Sequence, residues 1–193
     1  MILLNGKNIA DHKFKELPKF NLKNIDDNFI SSDELCENRD GLLVMFICNH
    51  CPYVKAIVKN IAEDTNDLLK NLNISSVAIN SNDPHYNQED SFENMKKFAF
   101  DNQFSFSYLF DETQEIAKNF DAVCTPDFFL FIKNKANGKF ILSHKGRLNN
   151  FVYTKSGKQS SDGEIIQREL YTIAEYLIGK SKNSLGCSIK WKE

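Results

Sequence analysis

The alternation of apolar and polar residues predicts a strand, a long helix and a second strand in the N-terminal half of the chain. Residues 42–47 form a continuous apolar run after the turn signal Asp40-Gly41, as in a strand buried on both faces. Apolar or small side chains then recur at alternating spacings of four and three: Val54, Val58, Ile61, Thr65, Leu68 and Leu72. This spacing predicts one face of an amphipathic helix of about five turns. Residues 74–79 read as the second strand, so the segment predicts a βαβ unit with parallel strands.

The remaining pattern predicts three further helices and two hairpins. Residues 91–103 and 113–120 have helical spacing, and Asn137-Gly138 lies between two apolar segments, 127–132 and 139–144, as in a β-hairpin. Segments around Phe20 and Phe29 suggest an added hairpin near the N-terminus.

The last helix is predicted from about Asp162 to a stop at Gly179, followed by a tail. Its inward face would consist of Ile166, Leu170, Ile173 and Leu177. This order of elements predicts one α/β domain over residues 1–193, with a central mixed sheet flanked by helices, an N-terminal hairpin extension and a C-terminal tail.

Composition and charge exclude several classes of protein. Apolar residues make up 41% of the 193 residues, charged residues make up 26%, and the net charge is −2. No basic stripe suggests nucleic-acid binding. The longest apolar run, residues 42–48, is far short of the ~20 residues that cross a bilayer, and the short run at residues 2–4 is no secretion signal. We therefore expect a cytoplasmic protein that binds neither membrane nor nucleic acid.

The five cysteines indicate chemistry rather than a disulfide framework. An odd number without a secretion signal argues against structural disulfides, and in a reducing compartment a close pair is catalytic or metal-binding. Cys48 and Cys51 form a Cys-x-x-Cys motif where the predicted strand ends and the long helix begins. No second Cys-x-x-Cys and no His-x-x-x-His follows to complete a zinc site, so the placement favours redox chemistry.

The predicted position of the pair at a helix N-terminus has an electrostatic consequence. Three-residue spacing in a first helical turn puts both sulfurs on one side, and the positive end of the helix stabilises a thiolate. We expect the pKa of Cys48 to fall into the range of roughly 3.5–7.5 typical of such motifs. His50 would add to this effect if protonated, and Pro52 suits a first helical position where no N–H is needed.

The residues 46–55, which contain Cys48-Asn49-His50-Cys51-Pro52-Tyr53-Val54, resemble the active-site signature of a bacterial thioredoxin-like group related to the AhpC/TSA peroxiredoxins. The resemblance continues in residues 79–84, 108–114, 123–129 and 186–192. It implies a thioredoxin-like fold and a cis peptide at Thr125-Pro126 beside the dithiol. Backbone groups of Thr125 exposed there would help to form a substrate groove.

Three residues outside the pair have two interpretations each. Cys124 is either a third redox thiol or a small buried residue. Cys187, in the tail, is either a half-buried thiol or a resolving thiol that reaches the pair. Arg147 follows a strand at a place where, by the resemblance, peroxiredoxins often carry an arginine that polarises peroxide; an ordinary surface arginine is the alternative.

Three functions follow from these residues. The first is a thiol–disulfide oxidoreductase that needs no cofactor, in which Cys48 attacks a disulfide and Cys51 resolves the mixed disulfide; its partners would be protein or small-molecule disulfides and a dithiol reductant. The second is an antioxidant thiol peroxidase, although peroxiredoxins usually have threonine where Cys48 stands. The third is a metal-binding or metallochaperone module using Cys48, Cys51, Cys124 and a histidine, which the two-residue gap disfavours. The sequence does not indicate the oligomeric state.

Overall fold

A seven-stranded mixed sheet forms the centre of the computed structural model, which describes residues 13–149 and 167–179. The strands follow the order β2-β1-β5-β4-β3-β6-β7. Their bounds are β1 Asn21–Asn24, β2 Phe29–Ser31, β3 Gly41–Phe46, β4 Ile74–Asn80, β5 Ser107–Phe110, β6 Asp127–Lys133 and β7 Phe140–Gly146. The helices are α1 Ser32–Cys36, α2 Pro52–Leu72, α3 Phe92–Asp101, α4 Glu115–Asn119 and α5 Glu169–Leu177.

The predicted βαβ unit is confirmed. Strands β3 and β4 pair in parallel, with Val44 opposite Val77, and α2 connects them. All six side chains that predicted the inner face of α2 are buried in the structure. The helix ends at Asn73, which adopts a left-handed conformation with φ of 55° and donates its N–H to the carbonyl oxygen of Leu68.

Both faces of β3 are covered, which explains why its residues form an uninterrupted apolar run. Leu43, Met45 and Ile47 face a core that includes residues of α2, α3 and α5. Leu42, Val44 and Phe46 face a second core rich in phenylalanine rings, against which residues of α1 and α4 pack. The loop that contains Cys48 and Cys51 follows β3 directly, so it begins at the edge of the core.

Both predicted hairpins are present. Strands β1 and β2 pair antiparallel and join the sheet through β5, and β6 pairs antiparallel with both β3 and β7. Gly138, in the turn between β6 and β7, has φ of +74°, a conformation that glycine adopts without strain. The position of β6 beside β3 brings the segment that precedes β6 next to the Cys-x-x-Cys loop.

The last helix differs from the prediction in its start and its phase. Residues 167 and 168 are not helical, and α5 begins at Glu169 rather than near Asp162. Leu170 and Ala174 are buried, whereas Leu177 is exposed. The prediction placed Leu177 inward because it counted bulky side chains only, whereas the small Ala174 is the residue buried one turn after Leu170. Ile166 and the tail after Gly179 lie outside the described residues.

Within the described residues, no helix has the length and apolar character needed to cross a bilayer.

Candidate active site

The Cys-x-x-Cys motif lies in the loop between β3 and α2, with both cysteines reduced. Cys48 and Cys51 are almost fully enclosed, with 1% and 7% of their surface exposed. Cys51, rather than Cys48, is the N-cap of α2, and Pro52 is the first helical residue, as predicted. The N–H groups of the first helical turn therefore lie closest to Cys51.

The segment before β6 contacts both sulfurs. The peptide bond between Thr125 and Pro126 is cis, as the resemblance implied. The Thr125 hydroxyl lies 3.2 Å from the Cys48 sulfur. The Cys51 thiol donates to the Thr125 carbonyl oxygen at 3.3 Å. Thr125 therefore holds the two thiols from one side through two different atoms.

The two thiols are electrostatically coupled. A hydrogen bond from Cys48 lowers the pKa of Cys51 to about 5, and backbone N–H groups of Tyr53 and Val54 act in the same direction. The same hydrogen bond and burial raise the pKa of Cys48 well above its ordinary value. The two shifts are opposite in sign, so ionisation of one thiol opposes ionisation of the other. The sequence led us to expect the lowered pKa at Cys48; in the reduced pair the hydrogen bond between the two thiols lowers the pKa of Cys51 instead.

The His50 side chain lies closer to a neighbouring carboxylate than to the Cys48 thiol. Its Nδ1 lies 3.7 Å from the Cys48 sulfur but 2.5 Å from Oδ2 of Asp90. A ring nitrogen carries one proton, and the shorter contact directs it to Asp90. The predicted role of His50 as a stabiliser of the thiolate therefore depends on its charge and not on a strong hydrogen bond to sulfur.

Asp90 is the residue of this site that the sequence analysis missed. It is fully buried, and its Oδ1 accepts from the backbone N–H groups of Asn49 at 2.8 Å and His50 at 3.2 Å. Its Oδ2 accepts from Asn82 at 2.9 Å as well as from His50. In the sequence, Asp90 precedes a helix start and looks like an ordinary surface carboxylate; no local pattern distinguishes it.

Asn49 completes the support of the loop from the inside. Its side-chain amide donates to the Glu89 carbonyl oxygen at 2.7 Å, and its oxygen accepts from the Tyr108 hydroxyl at 2.9 Å. Tyr108 is fully buried, and burial raises its pKa well above the ordinary value, so the phenol keeps its proton as a donor. Both residues between the cysteines are thus anchored to other segments of the chain.

The other described cysteines are weakly ionised. Burial raises the pKa of Cys124 to about 11 and that of Cys36 to about 12. Cys124 is half-buried and lines a groove of about 390 Å³ beside Thr125, together with Phe46, Asn82 and Val123. Cys187 lies outside the described residues.

Arg147 is engaged away from the dithiol. Its guanidinium is 61% exposed and makes two hydrogen bonds to Glu169, of 2.6 and 2.8 Å. This pairing ties the end of β7 to the start of α5. The structure favours the surface interpretation of Arg147.

Within the part of the chain that the structure describes, one cluster has the donor atoms of a metal site: Cys48, His50 and Asp90 offer a sulfur, a ring nitrogen and a carboxylate oxygen within 4.8 Å of one another. However, both oxygens of Asp90 and Nδ1 of His50 are already committed to hydrogen bonds. A metal ion would have to break the 2.5 Å contact between His50 and Asp90, since ligands of one ion are farther apart. The three side chains are therefore better suited to forming hydrogen bonds with one another and with the loop than to binding a metal ion.

Comparison with known proteins agrees with this geometry. The model of the AhpC/TSA family matches residues 14–150, which is more than half of the chain. The crystal structure of an uncharacterized conserved protein from Geobacillus kaustophilus is 36% identical, with a TM-score of 0.72 over 92% of this chain and 91% of that chain. A hypothetical protein from Sinorhizobium meliloti 1021 is 28% identical, with the same TM-score of 0.72 over 92% and 93% of the two chains.

A more distant match shows the fold alone. The thioredoxin domain of a thiol-disulfide oxidoreductase from Bacteroides vulgatus is 13% identical, with a TM-score of 0.56 over 92% of this chain and 99% of that one. No curated protein matches the sequence. With its thioredoxin fold and the match to the family model, the chain belongs to the AhpC/TSA family and is an oxidoreductase of the thioredoxin type.

Proposed function

We propose that the protein is a thiol–disulfide oxidoreductase in which Cys48 and Cys51 exchange electrons with a disulfide substrate. The observation that carries the proposal is the contact of Thr125 with both sulfurs, at 3.2 and 3.3 Å, beside the cis Thr125-Pro126 bond. Two reduced thiols are thereby held together at the start of a helix, in a setting that stabilises one thiolate.

The reaction consists of two exchange steps. The Cys48 thiolate attacks one sulfur of the substrate disulfide, whose S–S bond breaks, and the second substrate sulfur leaves and takes up a proton. Cys51 then loses its proton and attacks the Cys48 sulfur of the mixed disulfide, which releases the other substrate thiol. The substrate gains two electrons and two protons, and the protein retains a Cys48–Cys51 disulfide that a dithiol reductant must reduce.

We assign the attack to Cys48, although the lowered pKa of the reduced pair lies at Cys51. The contact of the Cys51 thiol with a carbonyl oxygen requires a proton on sulfur, whereas the contact of Cys48 with the Thr125 hydroxyl accommodates a thiolate that accepts. Cys48 and Cys51 are hydrogen-bonded to each other, so Cys51 can take up the proton that Cys48 releases. Together, these contacts support Cys48 as the attacking thiol.

The proposed substrate groove lies around Thr125 and Pro126. The cavity of about 390 Å³ next to Thr125 combines apolar side chains such as Phe46 and Val123 with polar ones such as Asn82. Such a lining suits an extended peptide or a small disulfide. A reducing compartment such as the cytoplasm would supply the dithiol reductant.

Family membership favours one second candidate, a thiol peroxidase. In that reaction the thiolate attacks the O–O bond, a sulfenic acid and water or an alcohol form, and the second cysteine condenses with the sulfenic acid to give a disulfide and water. The engagement of Arg147 with Glu169 weighs against it, since the arginine is not available to polarise a peroxide. We therefore rank disulfide exchange first.

Trapping the mixed disulfide tests the proposal. Cys51→Ser should accumulate a mixed disulfide with oxidised glutathione on Cys48, detected by intact mass and peptide mapping, because no second thiol resolves it. Cys48→Ser should accumulate far less, and Cys124→Ser is a matched control that should behave like the wild type. Equal trapping with both single variants would refute the assignment of roles. Rapid consumption of peroxide with slow disulfide exchange would reverse the ranking.

A further inference from the structure

The Asp90 carboxylate is a buried charge that the proposed exchange steps do not use. It has no exposed surface, and four groups contact it: the backbone N–H groups of Asn49 and His50, His50 Nδ1 and the side-chain amide of Asn82. It lies in the sequence segment that leads into α3, about 40 residues from the cysteines.

The contacts of Asp90 are those of an ionised carboxylate. The backbone N–H groups of Asn49 and His50 and the Asn82 side-chain amide can only donate, so three of the four contacts require acceptor oxygens on Asp90. The two backbone N–H groups belong to the loop between the cysteines, so the carboxylate replaces the water that this loop would otherwise bind. The hydrogen bonds that hold the loop between the cysteines therefore also hold the Asp90 carboxylate in position.

This charge lies beside the attacking sulfur. Oxygen of Asp90 and the Cys48 sulfur are within 4.8 Å, and both residues are almost fully enclosed. At such a distance and burial a negative charge disfavours a second one. The raised pKa of Cys48 has the hydrogen bond with Cys51 and burial as its main causes, and the charge of Asp90 adds to them. Among the residues that the structure describes, the other ionisable groups that interact with Cys48 are Cys51, His50 and Tyr108.

A charge that opposes the thiolate also affects the direction of exchange. A pair whose reduced form is stabilised as a thiolate is a strong oxidant. Asp90 does the reverse: it raises the free energy of the reduced, charged form and leaves the neutral disulfide unaffected. We propose that Asp90 is a positioning residue that biases the Cys48–Cys51 pair toward donating electrons to substrate disulfides, because its charge opposes part of the stabilisation that the helix start gives to a thiolate. This inference rests on the proposed function and names a residue that favours its direction of electron transfer.

The test separates the charge of Asp90 from its hydrogen bonds. Asp90→Asn keeps an oxygen that can accept from the backbone N–H groups of Asn49 and His50, and it removes the charge. The substitution is made in a His50→Ala protein, so that no imidazole changes its charge at the same time. We expect the equilibrium with glutathione to shift about tenfold toward the reduced pair, which corresponds to about 30 mV for a two-electron couple. The thiolate absorbance transition should move to lower pH.

Glu89→Gln in the same background is the matched control. Glu89 is exposed, neighbours Asp90 in sequence and pairs with Lys55, so its loss should change neither readout. If Asp90→Asn leaves the potential unchanged, makes it more negative, or shifts it no more than Glu89→Gln does, the inference is wrong.

A measurement on the wild-type protein covers the case in which the variant does not fold. The carboxyl ¹³C resonance of Asp90 should move as the reduced pair ionises, and should stay constant over the same pH range in the oxidised protein. An identical response in both redox states would overturn the inference. Absence of any exchange with glutathione would instead refute the proposed function, and the resonance would still report whether Asp90 senses the thiolate.

Discussion

The Thr125 hydroxyl lies 3.2 Å from the Cys48 sulfur, and the carbonyl oxygen of the same residue accepts a hydrogen bond from the Cys51 thiol. Residues separated by 77 positions in the sequence thus meet at the reacting atom. This contact is possible because β6, which follows Thr125, pairs with β3, which precedes Cys48.

Removal of the Thr125 hydroxyl should raise the pH at which the thiolate forms. The hydrogen bond with Cys51 and burial raise the pKa of Cys48, and the Thr125 hydroxyl acts against them. A hydrogen bond to a charged group contributes about 1.5–3 kcal/mol, so Thr125→Val should shift the transition upward by about one pH unit. Thiolate absorbance measures it. Thr125→Ser retains the hydroxyl and should titrate like the wild type; an equal shift in both variants would contradict the explanation.

The buried ion pair between Asp127 and Lys145 should be sensitive to the loss of one partner. Lys145 Nζ lies 3.1 Å from Asp127 Oδ2, and the two side chains are 2% and 6% exposed. Lys145→Met leaves Asp127 unpaired and should lower the free energy of unfolding by about 3–5 kcal/mol in urea denaturation. The control is Lys139→Met, which breaks an exposed pair with Glu16 and should cost at most about 1 kcal/mol. Similar losses in both variants would refute the distinction.

Stability should depend on pH through Asp127. Burial raises the pKa of Asp127 from 3.8 to about 6, although Lys145 acts in the opposite direction. Folding therefore favours the protonated carboxyl: its contribution is complete below about pH 4 and is lost as the pH rises through about 6. Relative to Asp127→Asn, the wild type should lose on the order of 2 kcal/mol between pH 4.5 and 7.5. Urea denaturation at both pH values measures the free energy of unfolding of each protein. A wild type that gains stability relative to Asp127→Asn as the pH rises would contradict the prediction.

Alkylation should distinguish the dithiol from the other described cysteines. Because burial raises the pKa of Cys36 to about 12 and that of Cys124 to about 11, few of these thiols are ionised at pH 7. Iodoacetamide should therefore modify Cys48 or Cys51 at least tenfold faster, as seen by peptide mapping after short exposures. Preferential modification of Cys124 would instead support its role as a third redox thiol.

The helices and strands with a regular spacing of apolar residues were predictable, because the spacing itself shows which side chains are buried. The spacing from Val54 to Leu72 identifies the buried face of α2, and the turn at Asn137-Gly138 identifies the hairpin of β6 and β7. Where a small side chain is part of the buried face, as Ala174 is in α5, a count of bulky residues assigns the wrong phase.

The electrostatic surroundings of the dithiol were less predictable, because they depend on distant segments. The sequence places Cys48 and Cys51 at a helix start, but not which of them caps the helix. It does not reveal that Asp90 would engage His50, since the two are 40 residues apart and no spacing rule connects them. The cis bond at Thr125-Pro126 was anticipated only through the resemblance.

The anchoring of both residues between the cysteines limits how this protein can be redesigned. Asn49 is bound to Tyr108 and Glu89, and His50 to Asp90, so a substitution at either position alters the shape of the loop as well as its charge. A designer who wishes to retune the redox properties would do better to leave the motif intact. Position 90 lies outside it, and there a single exchange of oxygen for nitrogen changes the field at the sulfur while the loop keeps its support.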